Sequence, residues 1–518
     1  MANTRLIVTG IALMLLFSAA PAMGETWTGD GTTDNWSDGD NWGGVAPENP
    51  SVNIITFTDT DVVTDTTVNN VVDLADEITD WTIGGLTYTN TASSHNTQIQ
   101  ADKTLIVAGN LNAWLDIGAD HSAYSNLFAR FTGGTLQIGA EGTPVDISIA
   151  HVTGNGWRGI GGTVLVSCTG LKPYIRDAYI GYINRPESDR TMMGYLDLRG
   201  TPVIGGTLAF RHLYLGRGTP SGQGRIYLDD ATALTNLEIA GNLHMAYEGG
   251  STSIGDPAAA NTLPADVNIK IGIDEETRGN LKMGLGGRNP WTSGGFTGTA
   301  SIVATGGGTF TAYLDALQVG TTAWNFADSV GNGTLDVSMM DSVLLDVSGT
   351  ATIGESTSEN GRYVAAVKLP SGSARVNALR LGVGGLGTRS ALLQLNGTTF
   401  AVDATATVGA AGTVETTLDG VSCGLSVDDP SAAALAVATG GKIQINFMQD
   451  QITPGSVYWG LRWKGNHTSS LNSLISGGKI IVDDSAVPGK LAGVVYDAGT
   501  DYTCVTLAES WPLTAVPR

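Results

Sequence analysis

The densest group of chemistry-bearing side chains in this sequence is Tyr458-Trp459-Gly460-Leu461-Arg462-Trp463-Lys464. Indole rings stack on sugar rings, and a guanidinium grips an acidic group. Read as a strand, the run places Trp459, Leu461 and Trp463 on one face and Tyr458, Arg462 and Lys464 on the other. Trp459, Arg462 and Trp463 are therefore the candidate ligand-binding residues. The competing reading has the Trp side plugging the end of the fold. Asp30, Asp34, Asp38 and Asp40 crowd one short loop, and Asp59, Asp61 and Asp65 crowd another. Calcium takes roughly six to eight oxygen ligands, and such loops supply several. Neither loop has EF-hand spacing, and Asp also favours turns through its own hydrogen bonds. The first loop is the candidate metal site, and calcium is the one cofactor the sequence admits.

Other patterns exclude more than they offer. The 6 histidines are scattered, without HExxH or zinc-type His/Cys spacing. There is no nucleophile elbow and no phosphate loop, since Gly440-Gly441-Lys442 runs into Ile443. Gly382-x-Gly384-x-x-Gly387 spells a dinucleotide fingerprint, but Ser390–Leu395 after it reads as a strand, not a helix. The acidic doublets Asp229-Asp230, Glu275-Glu276, Asp428-Asp429 and Asp483-Asp484 would each point to opposite faces of a strand. None alone makes a glycosidase pair. Asp229-Asp230 with Arg225 is the best of them, and no catalytic residue is assigned.

The elements that must position these groups are strands. Short alternating runs recur, such as Thr104–Val107, Gly224–Leu228 and Leu392–Leu395, separated by Gly, Asn, Asp and Ser. An aliphatic–x–aliphatic–Gly tetrad repeats, ending at Gly139, Gly216, Gly272, Gly284, Gly320 and Gly382, with looser copies at Gly118, Gly181, Gly354 and Gly409. Uneven spacing of this order predicts a stack of β-coils, with Leu and Ile inward and Gly at a corner. Two or three β-sandwiches also use such strands. The expected fold is an all-β parallel β-solenoid over residues 51–445. At about 25 residues per coil that is about 16 coils and a rod of ~75 Å. Residues 25–50, with Trp27, Trp36 and Trp42, read as an N-terminal cap. Residues 446–518 read as a C-terminal capping unit with a helix started by Thr468 or Ser469 and stopped at Gly477-Gly478.

The chain begins with Arg5, an apolar run Leu6–Ala20 and a small-residue site at Ala22-Met23-Gly24. That is the layout of an export signal over 1–24. No later run is long and apolar enough to span a membrane. Gly is 71 of 518 residues, only 15% of residues are charged, and the net charge is −22. The charge argues against nucleic acid and against anionic lipid as partners. Three cysteines make no disulfide framework, although Cys423 and Cys504 are the most plausible pair.

Trp27-x-Gly29, Asn35-Trp36 and Asn41-Trp42 after an export signal resemble the start of secreted bacterial β-helix proteins with autotransporter-associated β-strand repeats. Such proteins abound in planctomycete and verrucomicrobial exoproteomes. The tetrads of residues 80–440 are similar to those repeats, and Tyr458–His467 and Val494–Leu507 look like endings seen on such proteins. The resemblance implies a secreted protein of the cell surface or extracellular matrix and carries over no catalytic residues. It lacks the autotransporter barrel and a recognisable sorting tail. The expected role is structural or adhesive, with surface polysaccharide or envelope proteins as partners and the oligomeric state open. A polysaccharide lyase or hydrolase, or a glycan-binding protein without turnover, is the alternative.

Overall fold

The computed structural model describes residues 24–508 except 65, 76, 91–92, 117–125, 154–159, 184–191, 218–221, 289–294, 323–328, 386–387, 419–422, 449–457, 486 and 488–490. Residues 1–23 of the expected export signal, and Gly118 of the repeat, lie outside them.

The alternating runs form two long sheets of 21 and 16 strands. In the smaller sheet, fourteen strands follow one another in an unbroken parallel path from Asn70–Val72 to Ile480–Asp483. Through the middle of the rod, each coil gives one strand to the smaller sheet and two to the larger. Gln223–Tyr227, Asn236–Ile239 and Leu243–Tyr247 make one coil. Gly250–Gly255, Asn268–Ile271 and Gly279–Met283 stack on it as the next. The molecule is an all-β parallel β-solenoid. Its coils are uneven: Ala391 pairs with Gly412 in one, and Gly250 with Gly298 in another. Among the described residues thirteen of the fourteen strands begin within 51–445, where an even spacing predicts about 16, and at ~4.8 Å per rung the fourteen-strand path is about 60 Å long.

Strand parity builds the core. Leu213, Leu243, Leu281, Leu317, Ala351 and Leu379 stack in register, one per coil, and each is fully buried. Two residues on, Leu215, Met245, Met283, Val319, Ile353 and Leu381 form a second buried column. Burial of one such side chain contributes roughly 1.5–3 kcal/mol. The middle residue of each tetrad points outward between the two columns.

The residue that ends the tetrad turns the chain towards the smaller sheet. Gly181, Gly216, Gly284, Gly320, Gly354 and Gly382 stand in one column, with φ between 57 and 66°. Ala150 and Ala246 complete it at φ 49 and 50°, in a left-handed conformation rare for Ala. Sequence reading passed over these two because they end in Ala. Gly139 and Gly272 are also left-handed, at φ 74 and 77°, but they stand at other corners. The repeat therefore marks more than one bend of the coil.

Both ends depart from the repeat. Glu25–Thr26 adds a parallel rung to Ile54–Phe57, and Asn35 bridges to Val71, so the N-terminal cap extends both sheets. Trp27 and Trp36 are fully buried beneath it. At the other end, the parallel path runs on through residue 483, so the expected boundary at 445/446 cuts the strand Lys442–Phe447. Tyr458–Lys464 then pairs antiparallel with Tyr502–Ala508, and Leu491–Asp497 adds a further antiparallel strand. The helix Thr468–Ser476 buries Leu471, while Leu474 and Ile475 pack on the core. Its N-cap is His467, with no side-chain cap, rather than Thr468 or Ser469. No described helix is long and apolar enough to cross a membrane.

Candidate functional site

The strand Tyr458–Lys464 does not keep the simple alternation. Trp459 pairs with Thr506 and Leu461 with Val505, which leaves Gly460 without a partner across the ladder. This bulge shifts the parity by one residue. A Cβ on Gly460 would come within 2.4 Å of Ile445 Cγ2, so only glycine fits there. As a result Trp459 and Arg462 share the outer face, and Tyr458, Leu461 and Trp463 turn inward. The expected grouping of Trp459 with Trp463 is corrected accordingly. Trp463 is 2% exposed, donates its Nε1–H to the Asp429 carbonyl at 3.1 Å and stacks on His467 at 3.8 Å. It belongs to the packing of the rod's end and is not available to a ligand.

Arg462 is held on three sides. Its guanidinium lies 4.5 Å from the Trp459 ring and 4.5 Å from the Tyr502 ring. Its Nε–H donates to Ser426 Oγ at 2.8 Å. Ser426 donates to Asp428 at 2.6 Å, and the Tyr502 hydroxyl donates to the same carboxylate at 3.0 Å. Among the described residues its terminal nitrogens make no hydrogen bond or ion pair, and Arg462 lines a concavity of about 280 Å³ together with Trp459, Tyr502, Val495, Thr500 and Cys504. The arrangement can receive an anion. Burial pushes the Cys504 thiol up to about 11, which keeps it protonated. Cys168 and Cys423 are buried, Cys504 is half-buried, and Cys423 and Cys504 are not joined in a disulfide.

The aspartate loop is built differently from a cation site. Asp38 accepts hydrogen bonds from the backbone N–H of Thr32, Thr33 and Asp40 at 3.1–3.2 Å, and from the Thr33 hydroxyl at 3.0 Å. It caps the short 3-10 helix Gly39–Trp42. Asp30, Asp34 and Asp40 are exposed. Among the described residues, no three His, Cys, Asp or Glu side chains come together to hold a metal. The four aspartates are thus not drawn together as calcium would need. Asp229 is likewise a cap: it accepts from Thr232 N–H at 3.0 Å, from the Thr232 hydroxyl and from Gly200 N–H.

A second outer feature escaped the sequence reading. The outward middle residues of the tetrads bring Tyr179, Tyr214, His244 and Lys282 into one column. Tyr179 and Tyr214 stack at 5.1 Å, and His151 stacks on Tyr179 at 4.5 Å. Arg217 sits over Tyr182 and Tyr247 and pairs with Glu248 at 3.1 Å. Aligning the tetrads on their last residue would have shown the column. These rings stack on one another, so they serve the ladder first. Burial, then Lys282, Arg217 and His212, push the His244 pKa down from 6.5 to about 3. The folded chain therefore keeps His244 neutral where the unfolded chain protonates it. Its contribution is present above about pH 6.5 and is lost as the pH falls towards 3. His244→Phe should flatten the fall of the thermal transition over that window, and an unchanged acid slope would refute it.

No protein-family model matches the chain, and the comparisons found no curated protein and no solved structure similar to it.

Proposed function

We propose that this chain is an exported rod with a structural or adhesive role at the cell surface or in the extracellular matrix. The observation that carries the reading is how the charged groups are used. Seven of the eight ion pairs among the described residues tie one coil to another, such as Asp146–Arg176, Arg217–Glu248, Glu355–Arg380 and Arg375–Asp403. The strongest acidic candidates, Asp38 and Asp229, hold backbone turns. An active site usually gathers titratable groups in a cleft, and here they reinforce a stack. The capped, uninterrupted ladder is the form of a load-bearing or displaying element. The family resemblance of the sequence points the same way.

The test is a polysaccharide panel. Residues 25–518 are incubated with each polymer, with calcium and with a chelator. Reducing ends, unsaturated products and depletion of protein from solution are read together. The expected result is no product, depletion on a subset of polymers, and no difference between calcium and chelator. Product on any polymer would replace the reading with the carbohydrate-active one. The pocket at Arg462 favours a sugar-binding component.

A further inference from the structure

We propose that the Arg462 concavity is a carboxylate receptor that takes the uronate units of an acidic polysaccharide. The inference deepens the adhesive reading and rests on it.

A guanidinium offers five N–H donors in one plane. In Arg462 the guanidinium carbon lies 4.5 Å from both the Trp459 and the Tyr502 ring, and the Nε–H is used by Ser426. What remains is the end formed by the two terminal nitrogens. That end matches the two oxygens of a carboxylate, which it can meet with two parallel hydrogen bonds. The Ser426–Asp428–Tyr502 bonds fix the plane before a ligand arrives, which reduces the ordering needed on binding. Most other arginines with ion-pair partners are neutralised within the ladder, for example Arg278 by Asp346 at 2.9 Å. Arg462 forms no such pair among the described residues.

The surroundings favour a sugar acid. Asp497 lines the same concavity and is engaged by Gly499 N–H at 2.9 Å and the Thr500 hydroxyl at 2.7 Å. It opposes a bare anion, yet it can accept a hydrogen bond from a ring hydroxyl next to the bound carboxylate. The surface of the concavity is mostly apolar, from Trp459, Tyr502, Val495 and Cys504, which suits the C–H face of a sugar ring beside the carboxylate. The net charge of −22 does little against such a contact at physiological salt, where the Debye length is about 8 Å.

The experiment is a calorimetric titration of residues 25–518 at physiological salt with oligogalacturonate and oligoglucuronate. The same oligomers with reduced, neutral carboxyl groups and a peptide with a free C-terminal carboxylate are run beside them. The expected result is binding of an oligouronate and about tenfold or greater loss on carboxyl reduction. Arg462→Lys, which keeps the charge and removes the fork, should weaken binding about tenfold or more. Val495→Glu, which adds a carboxylate to the lining and leaves Arg462 in place, should do the same. Circular dichroism confirms that each variant is folded. Equal binding of the neutral oligomer, unchanged binding in both variants, or no binding of either uronate overturns the inference. Binding of the peptide alone overturns it in favour of a protein partner. If the rod adheres to neutral polymers but to no uronate, the inference fails and the adhesive reading stands. Product formation in the panel removes the adhesive reading instead.

Discussion

Gly284→Val should open the rod locally and lower its thermal stability by about 2–5 kcal/mol. Gly284 has φ +62°, where a Cβ crowds the chain's own backbone. That Cβ would also come within 1.7 Å of the Asn332 carbonyl oxygen, which belongs to a neighbouring coil's backbone and has no side-chain freedom to yield. The two effects add because one is local and the other is between coils. A solenoid is held by nearest-neighbour contacts, so the damage should stay near the altered rung. Limited proteolysis should cut the variant around residues 284–333 before the rest of the chain, and the thermal transition should broaden. Ala246→Gly is the companion. It relieves Ala from φ 50° in the same column, against the extra chain entropy of Gly, and should leave stability within about 1 kcal/mol of the parent or above it. A Gly284→Val chain that melts and digests like the parent would show that the column carries no such constraint.

Trp36→Ala should lower stability by about 3–5 kcal/mol and make the rod associate end to end. Trp36 is fully buried, and its Nε1–H donates to Asn70 Oδ1 at 3.2 Å. It meets Trp42 edge-on at 5.6 Å and Trp81 at 5.7 Å, and the Trp42 indole N–H donates to the Trp36 carbonyl at 2.8 Å. Removing the ring empties the space between the first full coil and the segment that covers it. Glu25–Thr26 and Asn35 then lose the packing that seats them on Ile54–Phe57 and Val71. Those strands would present unpaired N–H and C=O groups at the rod's end. Light scattering should show growth in apparent size with concentration, alongside a lower melting temperature. Trp36→Phe keeps most of the packing and loses the Asn70 bond, so it should cost about 1 kcal/mol. An Ala variant with parental size and melting temperature would refute the capping role.

The sequence by itself determined the class of fold and the direction of most side chains. An alternating strand sends every second residue inward, and Leu213, Leu215, Leu379 and Leu381 follow that rule. Six of the tetrad glycines fall in one column because only a residue that tolerates positive φ can turn there. The aromatic cap was also legible, since Trp27, Trp36 and Trp42 cluster where the repeat has not begun.

Tertiary structure decided the rest, and in each case the reason is a contact between segments far apart in sequence. The bulge at Gly460 arises from pairing with Tyr502–Ala508, and it turns Trp463 inward while keeping Trp459 beside Arg462. A single-strand reading assumes unbroken parity and cannot contain that shift. The Arg462 clamp takes Ser426 and Asp428 from one coil and Tyr502 from the closing strands, brought together only by stacking. Asp229 caps its own turn through Thr232, and stacking adds the N–H of Gly200, one coil back, as a further donor. Coil lengths were set by loops whose ends are fixed by the ladder, so counting residues overestimated the rungs. Local spacing fixes which way a side chain faces along a strand. Which distant group it meets there is fixed by the register of parallel coils.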